Sequence, residues 1–178
     1  FNAGGVNTPR YIVLHHTGVD LAQTIAIFKN TTKASHYAVD KDGTVYQLVE
    51  DNRVAIHIKN VNSLNIKLQE TIGIEIVTGA YSNEAYTPAQ YASLGSLLTL
   101  LTSKYGIPYS NANILAHYQV EPAGYTTKER KWDPSPNFDW AQINLPGHPR
   151  LQDVISKSVC LNEINFDGRG YTCDSLYG

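Results

Sequence analysis

Residues 71–77, Thr-Ile-Gly-Ile-Glu-Ile-Val, carry the strongest constraint in the chain. Side chains alternate across a strand, so Ile72, Ile74 and Ile76 share one face while Gly73, Glu75 and Val77 share the other. The isoleucine face has to be covered by a core. Glu75 then stands mid-strand on the opposite side, where a carboxylate is either solvated or turned toward a cleft, a cation or a hydrogen-bond donor. The alternation leaves both readings open.

Other segments fall into place around that strand. Residues 11–14 form a short β-branched and aromatic run that ends at His15-His16-Thr17-Gly18, and residues 114–116 form another that ends at His117. Residues 36–39 and 44–49 flank Asp40-Lys41-Asp42-Gly43, turn chemistry that predicts a β-hairpin. Asp20 with Gln23 starts a short helix to about Lys29, with Leu21, Ile25 and Phe28 on one face. Thr87-Pro88-Ala89-Gln90 combines an N-cap, a proline at the first helical position and a capping-box Gln. Tyr91, Leu94, Leu98 and Leu101 follow at helical spacing, and the helix closes near Lys104 before Gly106 and Pro108. Residues 50–69 show no clear period and read as a long, structured loop; residues 151–158 read as a last short helix. The order β, α, β, β, β, α, β predicts a single α/β domain with a central mixed β-sheet and helices packed on it.

A length of 178 residues suits one domain with a short appendage, and 42% hydrophobic with 17% charged residues describes a globular chain. A formal net charge of −2 with no run of like charges lacks the footprint of a nucleic-acid binder. No apolar stretch has the length of a transmembrane segment. Met is absent even at position 1, which predicts an N-terminus made by processing or trimming. The only cysteines, Cys160 and Cys173, lie in a polar tail with no His nearby. Such a pair reads as a disulfide in an oxidising, extracytoplasmic compartment, with two reduced thiols as the alternative.

Three residues at the ends of predicted strands or in the loops beyond them, His15, His117 and Asp133, could hold zinc. Two imidazoles and a carboxylate leave a fourth tetrahedral position for water, as hydrolytic zinc requires. Each also has an ordinary explanation: a capped strand end, a satisfied core histidine, a turn residue. No HExxH motif is present to decide the matter. Lys131, two residues before Asp133, would share its side of an extended segment, or belong to a solvated cluster with Lys128, Glu129 and Arg130.

Five segments taken in order resemble the type 2 N-acetylmuramoyl-L-alanine amidases, the superfamily of T7 lysozyme and the peptidoglycan recognition proteins. They are Ile12-Val13-Leu14-His15-His16-Thr17, Ser35-His36-Tyr37-Ala38-Val39-Asp40-Lys41-Asp42-Gly43, Ile72-Gly73-Ile74-Glu75-Ile76, Ile114-Leu115-Ala116-His117 and Lys131-Trp132-Asp133-Pro134-Ser135-Pro136. The resemblance runs from about residue 10 to 140. It implies an amidase fold, zinc bound by His15, His117 and Asp133, and the Asp-ligand branch of the bacterial enzymes. It makes Glu75 the base that takes a proton from zinc-activated water, and Lys131 the partner of the metal at the oxyanion. Ser35 stands where the phage branch carries a catalytic Tyr. His36 and His57 match positions near the cleft, as substrate-binding or supporting groups.

The resemblance thus implies a zinc-dependent hydrolase cutting between N-acetylmuramic acid and L-alanine in peptidoglycan or muropeptides, as a periplasmic or secreted monomer. Residues 1–148 would form the zinc amidase domain, and 149–178 a C-terminal extension with a Cys160–Cys173 disulfide. Sixteen positions separate His117 from Asp133, so residues 124–129 look like an insertion beside the metal. A non-catalytic peptidoglycan-binding module and a zinc peptidase cutting within the stem peptide are the alternatives.

Overall fold

A computed structural model describes residues 3–60, 62–79, 84–122 and 131–149. Strands β1 (Ala3–Val6), β2 (Tyr11–His16), β3 (Tyr37–Val39), β4 (Val45–Gln47), β5 (Arg53–Ala55), β6 (Thr71–Ile76) and β7 (Ile114–Ala116) accompany helices α1 (Leu21–Asn30) and α2 (Pro88–Tyr105). Five strands form one sheet in the order β4-β3-β6-β2-β7. β3, β6, β2 and β7 run parallel, and β4 closes one edge antiparallel as the second arm of the expected hairpin. The mixed α/β sheet read from the sequence is the fold observed.

The pleat divides the two faces of this sheet. Ile12 and Leu14 of β2, Ile72, Ile74 and Ile76 of β6 and Ile114 and Ala116 of β7 pack on Leu94, Leu97, Leu98 and Leu101 of α2. Val13 and Leu115 face the other way and pack with Ile58, Ile66, Leu68 and Val120. Odd-numbered residues of β2, β6 and β7 therefore look away from α2.

Local chemistry fixes the helix ends. Asp20 accepts from the Gln23 amide at 2.8 Å to cap α1. Thr87 Oγ1 accepts from the Gln90 amide at 3.1 Å while Gln90 Oε1 accepts from the Thr87 amide at 3.0 Å, a complete capping box. Gln90 is buried, and its amide nitrogen also donates to Val77 O at 2.7 Å, tying the start of α2 to the end of β6. Gly43 in the hairpin turn has φ +87, and a Cβ there would lie 2.9 Å from Ala89 O, so both conformation and space demand glycine.

Two features depart from the sequence reading. Residues 50–69 are not a loop throughout: β5 lies within them and pairs antiparallel with β1, and a 3-10 turn, Leu68–Glu70, leads into β6. A further 3-10 turn, Trp140–Ile143, buries Trp140 and Ile143 against α2. The expected helix at 151–158, the insertion at 124–129 and the Cys160–Cys173 disulfide lie outside the described residues. Among the described residues no helix is long and apolar enough to cross a membrane.

Asp51 is the polar hub that joins the hairpin to the end of α2. Its Oδ1 accepts from Tyr37 at 2.6 Å and from Gln47 at 3.2 Å, and its Oδ2 accepts from Tyr105 at 2.8 Å and Lys104 at 2.9 Å. Burial works to raise the Asp51 carboxyl, but the bonds from Tyr37, Lys104 and Tyr105 outweigh it and hold it below 3.8. Asp51→Ala strands the buried hydroxyl of Tyr37 and is expected to cost about 2–4 kcal/mol in urea unfolding. A carboxyl held low in the folded state stabilises above its unfolded value and loses that contribution as pH falls through the folded one. The urea midpoints of wild type and Asp51→Asn should therefore converge as pH is lowered from about 5 to about 3.

Candidate active site

His15 follows Val13 on the face of β2 turned away from α2, Glu75 follows Gly73 on the same face of β6, and His117 follows Leu115 at the end of β7. Cα pairing sets His15 directly beside Glu75. All three stand at the carboxyl ends of parallel strands, where open α/β sheets place their ligand sites. Lys131 and Asp133 lie outside the helices and strands, in irregular backbone.

Here His15 Nδ1 lies 3.0 Å from His117 Nδ1, and each lies 3.1 Å from Asp133 Oδ2. His15 is 3% and Asp133 8% exposed, so water does not screen the group. Ligand atoms about 2.0–2.1 Å from a tetrahedral zinc stand roughly 3.3 Å from one another, close to the spacing found. Burial pulls the His117 imidazole down, yet Asp133 and Glu121 together overcome it and push it up to about 9. Burial likewise opposes ionisation of Asp133, but His117 and His15 hold its carboxyl well below 3.8. The arrangement calls for positive charge at its centre, and the donor set of two imidazoles and a carboxylate suits zinc.

The hydrogen-bond order fixes the tautomer of His15. Thr71 Oγ1 donates its one proton to Leu68 O at 2.7 Å, so at 2.9 Å from His57 Nε2 it must accept. His57 therefore carries its proton on Nε2, and burial, with His15, His36 and His117 nearby, keeps it neutral. Its Nδ1 accepts from His15 Nε2 at 3.0 Å, which leaves the His15 Nδ1 lone pair facing His117 and Asp133. This stack fits only because residue 73 is glycine: a Cβ there would lie 2.5 Å from His57 Cγ.

Both His57 and Lys131 line a cavity of about 370 Å³ with His15, Glu75, His117 and Asp133. His36 does not. It is fully buried, its Nδ1 accepts from the Gly73 amide at 3.0 Å and its Nε2 donates to Arg53 O at 2.9 Å, which places it beneath the site as a support with no nitrogen left for substrate. His16 points to the other side of β2, its ring edge-on to Trp132 at 5.4 Å and its Nδ1 accepting from Tyr86 at 3.3 Å, so the pleat alone separates it from His15.

Burial, joined by the charge of Asp133, raises the Glu75 carboxyl above 4.5 against the opposing pull of His15, Ser35 and His117. Ser35 Oγ donates to Glu75 Oε1 at 3.1 Å, a contact that the sequence reading did not anticipate. Glu121 was also missed. It is 2% exposed, lines the cavity and sets Oε1 3.1 Å from His117 Nε2. The His-x-x-x-Glu spacing across a helical turn was the available signal.

Known proteins resemble this chain in sequence and in fold. AmpD of Citrobacter freundii, a 1,6-anhydro-N-acetylmuramyl-L-alanine amidase, is 31% identical over 112 residues, 62% of this chain and 54% of its own length. AmiD of Escherichia coli K12, an N-acetylmuramoyl-L-alanine amidase, is 26% identical over 157 residues, 78% of this chain and 53% of its own. The chain thus spans about half the length of the curated relatives it matches. Among solved structures, the endolysin amidase LysCS of Clostridium intestinale superposes with a TM-score of 0.62 at 28% identity, covering 81% of this chain and 86% of that one. AmiD of E. coli, solved with anhydro-N-acetylmuramic acid-L-Ala-D-gamma-Glu-L-Lys, shares the fold at 23% identity and a TM-score of 0.66, covering 83% and 62%. The pattern that defines the N-acetylmuramoyl-L-alanine amidases matches residues 5–136, which takes in every residue of the site, and the chain belongs to that family.

Proposed function

We propose that this chain is a zinc-dependent N-acetylmuramoyl-L-alanine amidase that cuts the amide between the muramic acid lactyl group and L-alanine in peptidoglycan or its fragments, acting as a monomer outside the cytoplasm. One observation carries the reading: the donor atoms of His15, His117 and Asp133 meet within 3.1 Å on one side of a cavity that Glu75 and Lys131 also line. Names of relatives support the substrate class.

Zinc held by His15, His117 and Asp133 would supply electrophilic activation of water and of the amide carbonyl. Glu75, a stronger base than an exposed carboxylate because burial raises its carboxyl, takes the proton of the attacking water. Ser35 holds Oε1 of Glu75 and leaves Oε2 to the water. Lys131 brings its ammonium to the oxygen on which negative charge develops as the carbonyl becomes tetrahedral. Glu75 then returns the proton to the departing L-alanine nitrogen, so one water is consumed, the C–N bond breaks, and a lactyl carboxylate and a free amine form. Thr71 holds His57, and His57 in turn supports His15 directly, with no free nitrogen of its own.

Digestion of purified sacculi followed by mass spectrometry tests the reaction. Glycan strands bare at the lactyl group together with peptides headed by L-alanine are the expected products. A cut between two amino acids makes the chain a peptidase, and no cut at full zinc occupancy makes it a binding module. Glu75→Gln is expected to retain zinc and lose about 10²–10⁴-fold in turnover; wild-type rates in that variant would remove Glu75 from the mechanism. His117→Ala should lose the ion, read by metal analysis after dialysis. Thr71→Val, which removes the acceptor for His57 Nε2, should weaken zinc binding by up to about 10-fold while Thr71→Ser restores it.

A further inference from the structure

Glu121 is the one cavity-lining carboxylate to which neither the metal set nor the proposed reaction gives a task. It follows the 3-10 turn His117–Gln119, and Val120 donates its amide to His117 O at 3.0 Å, so the chain curls back and brings Glu121 to the Nε2 edge of the His117 ring. Glu121 Oε1 lies 3.1 Å from His117 Nε2. Its Oε2 is buried with no hydrogen-bond partner among the described residues. A buried carboxylate with one oxygen unpaired costs stability, and a carboxylate kept only for packing would be replaced at a gain by an apolar side chain.

The two imidazoles are gripped differently. His15 Nε2 donates to a neutral ring, His57, whereas His117 Nε2 faces a full negative charge. Donation to a carboxylate makes the far nitrogen a stronger electron-pair donor and fixes the ring plane; donation to an imidazole mainly fixes the plane. We propose that Glu121 is the positioning residue for His117: it holds the proton on Nε2, turns the Nδ1 lone pair to the ion and strengthens that bond. This rests on the zinc reading above and adds a residue that the resemblance does not contain.

Zinc affinity, measured by competition with a chromophoric chelator at one pH on the full chain, tests it without reference to turnover. Glu121→Ala should weaken binding by about 10–100-fold. Glu121→Gln keeps an acceptor for His117 Nε2 but not the charge, so it should fall between wild type and Ala. Thermal melting of the metal-free chains controls for folding. A metal-free Glu121→Ala that melts with wild type yet binds zinc more weakly supports the assignment; zinc affinity within twofold of wild type overturns it. Should Glu121→Ala not fold, Glu121→Gln decides alone: weakening beyond twofold supports the role, and equality removes it. A wild-type chain that takes up no zinc would instead refute the zinc reading, and this inference with it.

Discussion

Two imidazole nitrogens and a carboxylate oxygen held about 3 Å apart in a place that water scarcely reaches repel one another unless positive charge sits among them. The surrounding structure keeps them from relaxing apart. His15 and His117 extend from β2 and β7, neighbouring strands in which every residue except Tyr11 is buried, and neither can swing away without pulling Val13 or Leu115 from the packed layer beneath. Stability lies in the isoleucine and leucine face against α2, and the opposite face uses that rigidity to hold groups in an arrangement they would not choose.

That division of labour follows from the period of the strand. In β2 and β6 the even-numbered isoleucines and Leu14 build the core against α2 while His15 and Glu75 project from the other face, so His15 and His16, adjacent in sequence, meet different partners. Register does the remainder. Parallel pairing sets His15 beside Glu75, and neighbouring strands lie about 4.8 Å apart. Glu75 and His15, the proposed base and one of the proposed metal ligands, are thus brought together by the sheet with no loop needed. Gly73 shows the cost on that face: its missing side chain is the space His57 fills.

How much of this was legible in the sequence varied with the physics behind each element. The isoleucine alternation at 72–76, the Thr87-Pro88 start of α2 and the Asp40–Gly43 turn are local signals, and each formed where it was read. β1 and β5 were not legible, because Ala-Gly-Gly-Val has no alternation and only one β-branched residue, and it becomes a strand by lying beside Arg53–Ala55. At the site, residue types and spacing proposed His15, His117 and Asp133 but could not choose among ordinary explanations; the ordered resemblance of five segments did that. Thr71, Ser35 and Glu121 escaped because their task is set by which neighbour their oxygen meets, and that depends on packing.

Charge closes the account. Asp133, Glu75 and Glu121 bring three carboxylates to one cavity, an expensive concentration in a poorly solvated place. Under the proposed reading, a divalent ion at the His15, His117 and Asp133 atoms would balance them together with the ammonium of Lys131, which lines the same cavity. The balance has a direction: Asp133 lies 3.1 Å from both rings, but Glu121 adds a carboxylate at His117 where neutral His57 stands at His15. Under the zinc reading, that added charge would hold the ion more firmly from His117 than from His15. Glu75, across on β6, lines the same cavity with its affinity for protons raised by burial.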